Sequence, residues 1–213
     1  MPRNARTAID GGIYHILNRG NGRQRVFHKD GDYLAFTALL RQMHEHFAVE
    51  LYAYCLMPNH FHLLVKVGTG EDLSRGMQWF MTTHVRRYHQ HYHSSGHLWQ
   101  GRYKSFGICD NDHLLTVVRY VEGNPVRAGL VKTAADWVWS SHREHCGQER
   151  ENLTVQLPVS VGTNWAEYVD TPLTGAELTK MKRNMERQTK AKGLAPQVPV
   201  PLQASEGHAR RDK

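Results

Sequence analysis

Glu50-Leu51-Tyr52-Ala53-Tyr54-Cys55-Leu56-Met57-Pro58-Asn59-His60-Phe61-His62-Leu63-Leu64-Val65-Lys66-Val67 is the stretch on which the fold of this chain turns. Glu50 to Met57 reads as a strand, Pro58-Asn59 is a turn signal, and His60 to Val67 reads as a second strand, so the segment folds back as an antiparallel hairpin. Side chains alternate faces along a strand. Phe61, Leu63 and Val65 therefore share a core-facing side, while His60, His62 and Leu64 look the other way.

Upstream, Phe36, Leu40, Met43 and Phe47 recur at steps of four, three and four, which predicts an amphipathic helix opening near Asp30 or Asp32. Before it, Gly12 to Asn18 reads as a strand, and Arg19-Gly20-Asn21-Gly22 turns into a basic loop carrying Arg19, Arg23 and Arg25. Downstream, Leu73, Met77, Phe80, His84 and Tyr88 fall at helical spacing, with Arg75, Arg86 and Arg87 off that stripe. Ser94-Ser95-Gly96 breaks this helix. Leu98 to Ile108 then predicts a strand that places Arg102 and Lys104 on one face. Asn111 or Asp112 caps a third helix with Leu114, Val118 and Val121 inward, and Pro125 stops it near Asn124.

The order strand, helix, strand, strand, helix, strand, helix predicts an α+β protein: a ferredoxin-like split βαβ core with an antiparallel sheet and helices on one face. The other face is then open to a ligand. Trp137, Trp139 and Trp165 imply that a C-terminal extension packs on this core as far as Tyr168.

Lys and Arg number 27 against 20 Asp and Glu, a formal net charge of +7, which favours an anionic partner. Nucleic acid is the first expectation and an acidic membrane surface the second. No stretch approaches the ~18 apolar residues of a membrane span, and Met1 to Thr7 is polar and basic, so a soluble, cytoplasmic and nucleoid-associated protein is expected. The three cysteines, Cys55, Cys109 and Cys146, are widely spaced and suggest neither a disulfide framework nor a zinc site.

His60 and His62 point the same way within about 7 Å, a chelating geometry, although two polar strand residues without a ligand role fit the same spacing. In Arg119-Tyr120-Val121-Glu122-Gly123-Asn124-Pro125, Tyr120 and Asn124 are one helical turn apart at the edge of the core. A half-buried packing tyrosine and a C-terminal cap are the plainer account of that pair. Chemistry links the two groups. A tyrosine hydroxyl of pKa ~10 is a poor nucleophile at neutral pH, but a divalent ion makes a phosphodiester a better electrophile. Two neutral imidazoles and the Asn124 amide oxygen would supply three ligands, and attack by Tyr120 would leave a covalent phosphotyrosine.

Tyr14 with Asn18-Arg19-Gly20-Asn21, Met57-Pro58-Asn59-His60-Phe61-His62, Trp99-Gln100-Gly101-Arg102-Tyr103, Tyr120 to Gly129, and Trp137-Val138-Trp139-Ser140-Ser141 appear in this order. Together they resemble the histidine-hydrophobic-histidine (HUH) transposases with a single catalytic tyrosine, and within them the REP-associated tyrosine transposases. The resemblance implies Mg²⁺ or Mn²⁺ dependence and cleavage of single-stranded DNA beside a REP-type hairpin, leaving a 5′-phosphotyrosine and a free 3′-hydroxyl. It makes His60 and His62 metal ligands, Tyr120 the nucleophile and Asn124 the third ligand, where related transposases often carry glutamine. Glu122 is a substitute that points away from Tyr120 at i+2.

On this reading residues 1–147 form the catalytic domain, 148–179 an extension packed on it, and 180–213 a basic, flexible tail. Arg19, Arg23, Arg25, Arg102 and Lys104 become candidate phosphate contacts, and the histidines between His84 and His97 a polar helix end. A monomer is favoured over a homodimer. The alternative from another class is a non-catalytic DNA hairpin-binding protein with a regulatory or structural role; a nuclease using water as nucleophile is a third reading.

Overall fold

The computed structural model describes residues 8–149, 152–179, 181 and 183. The decisive hairpin forms as β2 (Val49–Met57) and β3 (His60–Val67), antiparallel with Met57 opposite His60. On the far side of β3 lies β1 (Ile13–Arg19), in a register that sets Leu17 opposite His62 and Arg19 opposite His60. β4 (Lys104–Gly107) adds to β1 with Lys104 opposite Leu17. The four-stranded sheet has the order β2-β3-β1-β4, every pairing antiparallel. α1 (Asp30–His46) crosses from β1 to β2, and α2 (Gly70–Tyr92) from β3 to β4. This is the ferredoxin-like split βαβ arrangement that the element order predicts.

Phe36, Leu40 and Met43 of α1 and Leu73, Met77 and Phe80 of α2 bury against Ile16, Phe61, Leu63 and Val65 on one face of the sheet. The expectation of helices on one face holds for these two alone. α3 (Asn111–Glu122) covers the other face, packing Leu114, Val118 and Val121 on Ile13, Ala53, Cys55 and Leu64. A sheet with apolar residues on both faces needs two layers to bury them. Beyond α3, the short helices α4 (Asn124–Arg127), α5 (His142–His145) and α6 (Trp165–Asp170) follow. Trp165 and Val169 of α6 are buried in the α3 layer.

The strand expected over Leu98 to Ile108 is much shorter. Residues 98–103 run irregularly because they are tied to the end of β1 by single bonds, Asn21 N to Leu98 O and Gln100 N to Arg19 O, both 2.9 Å, rather than by a ladder. Arg102 thus lies outside β4 and does not share a strand face with Lys104. The third helix is capped by Asp110, whose carboxylate accepts from His113 N at 2.7 Å, and not by Asn111 or Asp112. Pro125 does not simply end the helical path: Gly123 breaks it and Pro125, whose fixed φ suits a first turn, helps to begin α4. At Gly123 a Cβ would stand 3.1 Å from Arg119 O, Arg127 Nη1 and Val169 O, so the crossing is tight enough to favour glycine.

The tail expected over 180–213 lies outside the described residues, apart from Met181 and Arg183. Among the described residues no helix is long and apolar enough to cross a membrane.

Candidate active site

The pairing of β1 with β3 builds rows of side chains across the face that α3 covers. One row runs Met57, His60, Arg19; the next runs Cys55, His62, Leu17, Lys104; a third holds Leu64, His15 and Phe106. The rings of His60 and His62 are 5.1 Å apart between centroids. His15, which the sequence reading did not single out, stacks on His62 at 5.2 Å, and its Nε2 shares a hydrogen bond of 2.9 Å with His62 Nδ1. α3 lowers Tyr120 onto this group, its ring 5.7 Å from that of His62 and 6.1 Å from that of His15, both edge-on.

Burial governs the charge state of the imidazoles. It pushes His60 down to about 4, with the Arg19 guanidinium adding to the effect. Burial and then the neighbouring His15 and His60 hold His62 well below the ordinary histidine value. His15, 1% exposed, falls to about 3 through burial and then His113. All three rings are therefore neutral at neutral pH, the form that ligates metal.

His60 Nδ1 bonds Asn59 Oδ1 at 2.7 Å and His62 Nδ1 is taken by His15, and neither Nε2 has a hydrogen bond among the described residues. Fixing one ring nitrogen by a second partner is how proteins orient a metal-binding imidazole. Asn124 is 9% exposed, and its buried Nδ2 finds no partner among the described residues. An unsatisfied buried amide donor is uncommon, and this one is open to a hydrogen-bond acceptor from outside the chain. Among the described residues no set of three or more His, Cys, Asp and Glu could by itself hold a metal ion. A divalent cation held here would need ligands besides the two imidazoles.

Arg127 is the second residue not singled out from sequence. Its guanidinium carbon lies 4.1 Å above the Tyr120 ring, and its Nη2 donates to the Tyr120 carbonyl. Arg19 flanks His60, and Lys104 is exposed in the His62 row. Arg23 sits in the turn Asn21–Arg23, where its carbonyl accepts from Asn59 Nδ2 at 3.1 Å. Arg25 is exposed, its Nε donating to Phe27 O at 2.7 Å. Arg102 is exposed on the irregular segment before β4.

None of the hydrogen bonds of Glu122 among the described residues reaches the pair. Glu122 is fully buried and accepts hydrogen bonds from Ser141 Oγ, His142 Nδ1, His145 Nδ1 and Trp165 Nε1, which joins α3 to α5 and α6. Of the histidines between His84 and His97, His84 is buried among Phe27, Phe36 and Trp99, and His89 bonds Ser94 Oγ at the helix end.

A ferredoxin-like sheet with a histidine pair on one face and a tyrosine set against it from a covering helix is the arrangement that the family resemblance of the sequence implies. The chain belongs to the IS200-like transposase family, whose model matches residues 8–124. It is 31% identical over 157 residues, 68% of this chain and 88% of the other, to a protein of Haemophilus influenzae described as a REP-associated tyrosine transposase. A solved REP-associated tyrosine transposase bound to a REP hairpin shares the fold, with a TM-score of 0.57 and 20% identity over 73% of this chain and 92% of that one.

Proposed function

We propose that this transposase cleaves and rejoins single-stranded DNA next to a REP-type hairpin, with Tyr120 as the nucleophile and the strand held covalently between the two steps. The observation that carries the proposal is the approach of Tyr120 to within 5.7 Å of the His62 ring inside one chain. In cleavage, Tyr120 Oη gives its proton to solvent as it bonds to phosphorus. The bond from phosphorus to the 3′ oxygen breaks, that oxygen takes a proton and departs as a 3′-hydroxyl, and the 5′-phosphate remains on Tyr120. An incoming 3′-hydroxyl reverses the same steps and rejoins the strand.

His60, His62 and Asn124 would hold Mg²⁺ or Mn²⁺, which supplies Lewis-acid polarisation of the scissile phosphate. The protein's own part is separate. Arg127 fixes the Tyr120 ring from above, and His15 fixes the orientation of His62. Arg19, Arg23, Arg102 and Lys104 lead phosphates toward the pair, and Arg25 contributes once its bond to Phe27 O is released.

The test mixes the full chain and Mn²⁺ with labelled oligonucleotides carrying a REP-type hairpin and varied flanks, then resolves the products on a denaturing protein gel. A label-bearing protein band is expected that vanishes with chelator, in Tyr120→Phe, and in His60→Ala or His62→Ala. Hairpin affinity of Tyr120→Phe should stay within about twofold of the parent, since only a hydroxyl is removed. Cleavage without an adduct would move the chain to a water-nucleophile nuclease, and tight binding without cleavage on any flank would make it a hairpin-binding protein.

A further inference from the structure

A cavity of about 700 Å³ lies between α2 and residues 96–103, apart from the histidine–tyrosine cluster. Its size falls within the ~300–1,000 Å³ of pockets that enclose small ligands. Met77, Trp99 and Tyr103 line it as buried groups and Met81 as a half-buried one. Gln78 and Thr82, exposed and one turn apart on α2, set an amide and a hydroxyl beside these apolar surfaces. The Trp99 indole Nε1 is buried and has no partner among the described residues, so a polar ligand atom reaching it gains a bond the free protein lacks.

Charge narrows the occupant further. Arg86 and Arg102 line the cavity, both exposed and without a salt bridge among the described residues, and no carboxylate lines it. A flat apolar face, a hydrogen-bonding edge and an adjoining negative charge together describe a nucleotide. Base stacking on aromatic side chains beside a basic track is the general way unpaired strands are held.

The wall of the cavity is bonded to the strand that carries Arg19. Residues 96–103 meet the end of β1 through Arg19 O, Asn21 N and the Asn18 side chain, which donates to Gly101 O at 2.9 Å. Arg19 is the register partner of His60. A strand whose phosphates met both Arg19 and Arg102 would run from the neighbour of His60 to the cavity lining.

We propose that this cavity receives one unpaired nucleobase of the strand flanking the hairpin, and so selects the flanking sequence; the inference rests on the DNA-processing function proposed above. The experiment uses the full chain and a hairpin oligonucleotide with 2-aminopurine, or an abasic residue, placed at each flanking position in turn. One position should change fluorescence several-fold on binding, and an abasic residue there should weaken binding roughly tenfold. Thr82→Trp, on an exposed position of α2, should fill the cavity and remove both effects, and Met81→Trp should do the same from the floor. Fluorescence that responds equally at all positions, or a selective response untouched by Thr82→Trp, overturns the assignment. Adduct formation through Tyr120 with no selective position overturns the cavity alone, whereas failure to bind any hairpin overturns the functional reading and the cavity with it.

Discussion

Arg127 touches Tyr120 twice, with its guanidinium over the ring and a hydrogen bond to the carbonyl. Arginine stays charged at any working pH and presents several donors in a fixed plane, so a charge developing at the Tyr120 oxygen or on a bound phosphate meets a cation already in place. Arg127→Ala should lower the rate of adduct formation on the order of tenfold to a hundredfold while leaving hairpin affinity within about twofold. Single-turnover gels and equilibrium binding on the same oligonucleotide separate these quantities. Equal losses in both would reduce Arg127 to an ordinary phosphate contact. The shared face of His60 and His62 and the helix-edge position of Tyr120 were legible from local spacing, whereas their meeting is tertiary and only chemistry and the family resemblance joined them in the sequence. His15 was not legible, since only the pairing of Leu17 with His62 brings it diagonally against that ring, and register is a long-range fact. Arg127 stayed hidden because Pro125 reads as a stop, whereas the chain turns once more and returns the side chain over Tyr120.

α3 is both the element that delivers Tyr120 and the one through which the C-terminal half is attached. Its Glu122 would be raised by burial, but hydrogen bonds from His142, His145 and Ser141 outweigh that and hold it down to about 2. Burial alone would lower His145, and the bond to Glu122 reverses the sign so that it is raised. Glu122 thus contributes stability that is complete above its unfolded value of 4.5 and is lost as pH falls toward 2. The contribution of His145 is complete below its unfolded value of 6.5 and is lost as pH rises through its higher folded value. His15, His60, His62 and His84, held neutral by burial, remove stability as pH falls below 6.5, so the melting midpoint should be highest near 6.5 and decline on both sides. Glu122→Gln should cost about 3 kcal/mol and flatten the alkaline limb, and an alkaline limb unchanged by the substitution would refute the coupling. That α3 covers the second face has a trace in the sequence: Leu51 to Met57 is apolar at every position, without the alternation of a half-exposed strand. The split βαβ order came from periodicity, which is local. The second layer required reading the missing alternation as two buried faces.

At the scale of the whole molecule, His60, His62, His15, Tyr120 and Arg127 come from one chain and lie within ring-contact distances of one another. We predict from this arrangement that each chain works with its own tyrosine. An enzyme whose tyrosine is lent to a partner and one whose tyrosine serves its own histidines respond differently to mixing. With a shared site, a Tyr120→Phe chain and a His62→Ala chain in one dimer rebuild a complete centre from the intact histidines of the first and the intact tyrosine of the second. With a site complete in each chain, every molecule in the mixture lacks one essential group. Equimolar Tyr120→Phe and His62→Ala, co-expressed so that any dimer can form, should therefore yield no more adduct than the two alone, and light scattering should give the mass of one chain with and without the hairpin. Adduct recovered to about a quarter or more of the parent level would show that Tyr120 crosses between copies, because only mixed dimers, about half of those formed at random, would regain one working centre of two. The cis arrangement of Tyr120 and His62 would then be a resting state, and α3 the element that moves to leave it.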